Sequence, residues 1–183
     1  MRYWLTQAVE QKVGVSIYRY VSRRQKRSTA GGFVLMKVER GVIIERPGDE
    51  VFAFIANPDN NPKWQPEVVE HQKLTEGPMG VGTRLRHVSK FMGRCISVVG
   101  IVDEFELGRM IAFRVESGTL PYTIRYSVAS QGRGTTRFTY SSLAHIQRLL
   151  KLLQPLMIIG ARRVIDRDLN RLKVVLEDDR ALA

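Results

Sequence analysis

Between residues 149 and 176 the chain carries no turn chemistry strong enough to end a helix, and its apolar residues recur at helical spacing. Leu150, Leu153, Met157, Ala161, Val164, Ile165, Leu169, Leu172 and Leu176 fall on one face at about 3.6 residues per turn. Arg163, Arg167, Asn170, Arg171 and Lys173 fall mostly off that face. Such a helix is longer than a small domain is wide, so the rest of the chain has to be built around it. Its two halves differ. Leu149, Leu152, Leu156 and Ile159 make residues 149–161 apolar almost all round, whereas residues 162–178 are amphipathic. A helix that is apolar on every side must be covered on every side, or face an apolar ligand, a partner or lipid. Pro155 and Gly160 sit inside the greasy half and are expected to bend it.

Upstream, residues 38–45 read as a strand that ends before Pro47-Gly48. Asp49 and Glu50 then open a helix over residues 51–56, with acids at its positive end. Asn57, Pro58 and Pro62 break it; a single turn around Lys63, Trp64 and Gln65 follows, and Pro66 stops that turn. From there the pattern is β throughout, with strands expected at 68–74, 83–91, 94–105, 109–117, 122–130 and 135–142. The short glycine-containing gaps favour consecutive antiparallel hairpins, and no helix-length segment interrupts them to make a parallel sheet. The expected fold class is therefore α+β. A curved antiparallel sheet of six or seven strands wraps a long C-terminal helix, with two short helices after the first strand. The expected divisions are a basic leader over residues 1–36, one domain over 37–178 and a short tail over 179–183.

Formal net charge is +11, a sum that raises nucleic acid or an anionic surface as partners. Its location matters more. Residues 1–37 hold eight Lys/Arg and one acid, and the remaining chain holds twenty-one against seventeen. The body is only mildly basic, which argues against a specific nucleic-acid groove. Three readings stand open for the leader: a flexible segment, weak contact with an anionic membrane through Arg23, Arg24, Lys26 and Arg27, or contact with nucleic acid. The first is preferred. No run of eighteen apolar residues is present, since Gln154, Arg162 and Arg163 interrupt the greasiest part. Cys95 is the only cysteine and residues 1–20 lack the pattern of a secretory signal, so a reducing cytoplasm fits best.

The order of elements and several fragments resemble the START-like superfamily (SRPBCC), and within it the polyketide cyclase/dehydrase and lipid-transport group. The carriers are residues 45–58 (ERPGDEVFAFIANP), 61–64 (NPKW), 80–84 (GVGTR), 102–105 (VDEF) ahead of 110–113 (MIAF), 134–138 (GTTRF) and 168–177 (DLNRLKVVLE). Together they cover residues 37–178. Six in this order are specific for the fold and weakly specific for function, because such folds host many ligands and several chemistries. The resemblance implies a helix-grip architecture with a hydrophobic cavity between sheet and helix, and no metal or organic cofactor.

Strand alternation gives the inward face. Leu85, His87, Ser89 and Phe91 oppose Arg84, Arg86 and Lys90; Phe113 opposes Arg114; Tyr126 opposes Arg125; Tyr140 opposes Thr139. From the helix, Leu150, Leu153, Met157 and Ala161 are expected to close the pocket, with Phe54 and Trp64 at its mouth. Such a wall, mostly apolar with a few polar points at His87, Ser89, Tyr126 and Tyr140, suits a small hydrophobic molecule. Taken singly, each residue is more readily core filler, an edge cap or a hydrogen-bonded strand residue, and the functional weight rests on the collective picture. His71, His87 and His145 lack metal-ligand spacing, and the phosphate-loop, dinucleotide and nucleophile-elbow motifs are absent, which counts against hydrolase, kinase and metalloenzyme classes. Asp166 and Asp168 are expected to pair with neighbouring arginines on the surface. Two functions lead: a carrier or sensor of a lipid, polyketide or aromatic metabolite, and a cyclase-like enzyme in which His87, Tyr126 or Tyr140 moves protons; a third, less favoured, sets the basic leader and the greasy helix start on a membrane surface. The first is preferred. Oligomeric state is left open.

Overall fold

A computed structural model of the chain describes residues 33–91, 93–115 and 122–178; residues 1–32 of the expected leader and the tail over 179–183 lie outside the described residues, and residues 33–36 of that leader belong to the first strand. Seven strands form one sheet: β1 (Phe33–Ile44), β2 (Val68–Lys73), β3 (Arg84–Phe91), β4 (Arg94–Glu106), β5 (Met110–Val115), β6 (Tyr122–Gly132) and β7 (Thr135–Gln147). Every pairing is antiparallel, in the order β1-β7-β6-β5-β4-β3-β2. Consecutive strands from β2 to β7 are neighbours, as the short glycine turns require. The β6–β7 link is Arg133-Gly134, both at positive φ (46° and 77°), the backbone of a tight hairpin turn whose twist matches the strands. Irregularities in register at Val68/Glu70, Val102/Glu104 and Ser130/Gly132 bend the strands and help curve the sheet.

β1 and β2 lie at opposite edges, so the chain between them crosses the sheet. That crossing is made by α1 (Gly48–Ala56), a 3-10 turn (Pro58–Asn60) and α2 (Asn61–Trp64). Asp49 and Glu50 occupy the first turn of α1, where carboxylates favour the helix dipole. At its other end, Asn60 donates to the Phe54 carbonyl at 3.1 Å and satisfies one of the terminal acceptors. Val51, Phe52, Phe54 and Ile55 turn inward against the sheet, with Phe52 edge-on to Phe105 at 5.8 Å.

The long helix, α3, spans Gln154–Glu177, preceded by a 3-10 turn over Arg148–Leu153. It starts five residues later than the periodicity predicts. The reason is Pro155: it stands in the first turn, where its missing N–H is one that no helix would use, rather than inside the helix as an interruption. β1 and β7 also run longer than expected, pairing from Phe33↔Gln147 to Ile44↔Thr136, because each supplies the other's ladder partners beyond the alternating core.

α3 is held almost entirely by its second half. Its buried residues are Ile165, Asp168, Leu169, Leu172 and Leu176. Each buried Leu or Ile contributes about 1.5–3 kcal/mol relative to an exposed one. Polar contacts fix the same half in register. Lys173 Nζ donates to the Ile43 carbonyl at 2.8 Å, Arg46 Nε to the Leu176 carbonyl at 2.7 Å, and the Glu45 amide to Glu177 at 2.7 Å. Arg40 grips Asp166 through two bonds of 2.5 and 2.9 Å. The first half has one comparable tie, Gln154 to the Leu35 carbonyl at 3.0 Å. Gly160, within that half, is exposed, and a Cβ placed there meets nothing within 4 Å. Because glycine inside a helix costs roughly 0.5–1 kcal/mol relative to alanine, Gly160→Ala should raise the urea midpoint at unchanged slope; a lowered midpoint would mean that the backbone at 160 needs glycine.

Candidate functional site

Between the sheet and residues 160–168 of α3 lies a cavity of about 750 Å³. That volume is in the range of small-molecule sites. Trp64 from α2, Leu85 and His87 from β3, Phe113 from β5, Ile124 and Tyr126 from β6, Tyr140 from β7 and Ala161 from α3 form much of its wall. It reaches the surface beside Gly160, Val164 and Lys90, which are exposed lining residues.

The wall is organised on Tyr126, whose side chain is buried and whose ring touches four others. It lies 5.8 Å from Trp64, 5.5 Å from Phe113, 5.6 Å from Phe138 and 5.6 Å from Tyr140, all tilted or edge-on. These are favoured geometries for aromatic pairs, and they fix the rings at the cavity's inner side. Sheet register explains the grouping. Tyr126 and Tyr140 are direct cross-strand partners, and Ile124 pairs with Phe113 on the other side. Trp64 joins them from above because Pro62 and the α2 turn place it against Tyr126 and Phe138.

Among the residues expected from sequence to meet a ligand, Trp64, Leu85, His87, Ser89, Phe113, Tyr126, Tyr140 and Ala161 stand together in this wall. Phe54, Leu150, Leu153 and Met157 do not. Phe54 is buried in the core beneath, and Trp64, fully buried, is an inner-wall residue and not a mouth residue. Leu153 is exposed and Leu150 is half-buried outside the lining, because residues 148–153 are a 3-10 turn and the helical phase assumed from 149 does not hold there; Met157, within α3, is half-buried one turn before the first lining residues. Gly160, Val164 and Ile165 take their place.

The wall is more polar than the sequence indicated. Asp168 lines it, buried, instead of pairing on the surface. Arg167 reaches it at 2.7 and 3.1 Å and also binds Glu67, whereas Asp166 is the carboxylate that pairs outward, with Arg40. Burial raises the Asp168 pKa above the ordinary carboxylate value, and the Arg167 guanidinium opposes the rise. A signal for Asp168 was present: it falls between Ile165, Leu169 and Leu172, at a position that helical spacing turns inward. On β4, the Asp103 carboxylate pairs with Arg114 at 2.9 Å.

Tyr122, His71, Asn61 and Ser142 also line the cavity. Loss of solvation raises the phenol pKa of Tyr126, Tyr140 and Tyr122, and the Asp168 charge adds to the rise at the first two. All three phenols are neutral and able to donate. Trp64 Nε1 and Asn61 Oδ1 are buried without a hydrogen-bond partner among the described residues, although Asn61 Nδ2 donates to Gln65 at 3.2 Å. His71 Nδ1 is likewise unpaired; buried donors and acceptors in folded proteins are overwhelmingly paired, so these three atoms of lining residues are open to a polar group. No group of three or more metal-ligating side chains occurs among the described residues.

His71 and His87 are cross-strand partners whose rings meet edge-on at 5.1 Å. Register, not spacing, brings them together, so sequence reading missed the pair. Burial lowers both pKa values, and the neighbouring His87 charge pushes His71 further down, to about 3. Unfolded, His71 takes a proton near 6.5. The unfolded state therefore binds more protons between those values, and stability falls as pH drops from about 6.5 toward 3. His71→Gln should flatten this fall when urea midpoints at pH 7 are compared with those at about pH 4.5; an unchanged fall would mean that the imidazole is solvated.

Residues 36–177 match the family model described as polyketide cyclase / dehydrase and lipid transport. Among solved structures, the fold is similar to the Zhui aromatase/cyclase from Streptomyces sp. R1128, with a TM-score of 0.65 at 15% identity over 79% of this chain and 94% of that one. A START superfamily protein from Mycobacterium smegmatis aligns with a TM-score of 0.66 at 17% identity, over 77% of this chain and 97% of that one. Norcoclaurine synthase from Thalictrum flavum, in complex with dopamine and hydroxybenzaldehyde, aligns with a TM-score of 0.58 at 16% identity, over 81% and 90%. At such identities the likeness is one of fold. No curated protein matches the sequence.

Proposed function

The chain belongs to the polyketide cyclase/dehydrase and lipid transport family, and on that premise we propose that it carries or senses a hydrophobic small molecule with a polar end: a lipid, a polyketide or an aromatic metabolite. The observation that supports this most is the cavity itself, about 750 Å³ walled by Trp64, Phe113, Ile124, Tyr126 and Ala161. Apolar area buried by a ligand there supplies affinity, and the rigid rings lose little entropy when it binds. The free Trp64 donor and Asn61 acceptor, with the neutral phenols, supply orientation. Carriage needs nothing more. The ligand binds, is shielded from water and leaves unchanged.

A second reading is supported by Asp168. A buried carboxylate with a raised pKa, lining the same cavity as Tyr126 and Tyr140, is an arrangement able to exchange protons with a bound substrate. In this reading the wall folds a reactive chain into one geometry, and Asp168, with Tyr126 or Tyr140, moves the protons of a cyclisation.

Native mass spectrometry of the protein from its own host, with a thermal-shift screen of lipids and aromatic metabolites, tests the first reading. A retained small molecule, and a ligand whose affinity drops about tenfold or more when Gly160→Leu narrows the mouth, are the expected results. Absence of any bound species or shift would remove the proposal. The second reading gains if Asp168→Asn and Tyr126→Phe abolish conversion of such a ligand while leaving its binding within about threefold; it fails if the ligand is recovered unchanged from the unaltered protein.

A further inference from the structure

We propose that the start of α3, with the 3-10 turn before it, docks on the surface of an anionic lipid bilayer. Leu152 is 92% exposed, Leu156 68%, Leu153 53% and Ile159 46%, four large apolar side chains within two consecutive turns. Isolated exposed leucines need no explanation, but a cluster rimmed by charge marks a contact surface. The rim here has one sign. Arg148, Lys151, Arg162 and Arg163 are all exposed, and none forms an ion pair with a described residue. No Asp or Glu occurs anywhere from residue 117 to 165. Arg40, Arg114, Arg125 and Arg167, by contrast, are each paired, with Asp166, Asp103, Glu104 and Glu67.

Charge selects the occupant. A second copy seated on this face by a two-fold axis would set the same four cations against each other. The leader is no better matched, since residues 1–32 carry seven Lys/Arg and one acid. An anionic bilayer offers what the patch lacks: phosphates for the long basic side chains and an acyl boundary for the leucines. The contact lies on the surface, because no helix among the described residues is long and apolar enough to cross a membrane. Docking in this orientation brings the cavity mouth at Gly160, Ala161 and Val164, on the following turn of the same helix, next to the lipid. The proposal stands apart from the identity of the cavity's ligand.

Flotation of the full chain with vesicles of phosphatidylcholine, with and without phosphatidylglycerol, tests it. The unaltered protein should float with the anionic vesicles and not with the neutral ones, less so at high salt. Leu152→Glu with Leu156→Glu should weaken the anionic binding about tenfold or more, and Arg162→Gln with Arg163→Gln several-fold. All four positions are exposed, so circular dichroism should be unchanged. Failure of the unaltered protein to float would overturn the proposal. So would equal flotation of the leucine variant, which would assign the contact to the leader. A dimer that the leucine variant dissociates, without vesicle binding, or binding of duplex DNA that ignores the leucines, would overturn it as well.

Discussion

The long helix is sealed against the sheet at one end only, and the rest of the molecule follows from that. Ile165, Leu169, Leu172 and Leu176 enter the core, while Arg40, Glu45, Arg46 and Lys173 lock the same half to β1 and the turn after it. The cavity opens where that packing begins, against residues 160–168 of α3.

What closes the cavity from the other side is the crossing segment. α1 fills the space beneath with Phe52, Phe54 and Ile55, and α2 ends in Trp64, a ring large enough to wedge between helix and sheet. Trp64, Tyr126 and Phe138 then brace each other, so the inner wall is rigid before any ligand arrives. Polar groups placed in that wall lose their water. Tyrosines stay neutral, His71 stays unprotonated and Asp168 holds its proton more tightly than usual, all from the same desolvation. The family has room for both carriage and catalysis on such a wall, and the difference lies in whether these few groups converge on a reactive atom.

Much of this was legible in the sequence, and what was not has physical reasons. Alternation placed Leu85, His87, Phe113, Tyr126 and Tyr140 on one face because each strand has a wet side of arginines and a dry side of rings. Helical periodicity found the gripped half of α3 but ran on through residues 149–153, since apolar residues fit a 3-10 turn as well as an α-helix and a proline in a first turn looks, in one dimension, like a break. Asp168 was read as a surface ion-pair partner because Arg167 is its neighbour; only the burial of both flanking turns shows that its carboxylate faces inward. The His71–His87 contact could not be read at all, because it depends on the register between β2 and β3, and β2 is too short to declare a pattern of its own.

Xenon held over crystals of the protein under pressure probes the central claim directly, because the gas settles against apolar surfaces inside a cavity. Ordered xenon between residues 160–168 of α3 and the sheet, against Trp64, Phe113, Ile124 and Ala161, is the predicted result. Crystals in which that space takes up no xenon because the facing side chains interlock would contradict the account.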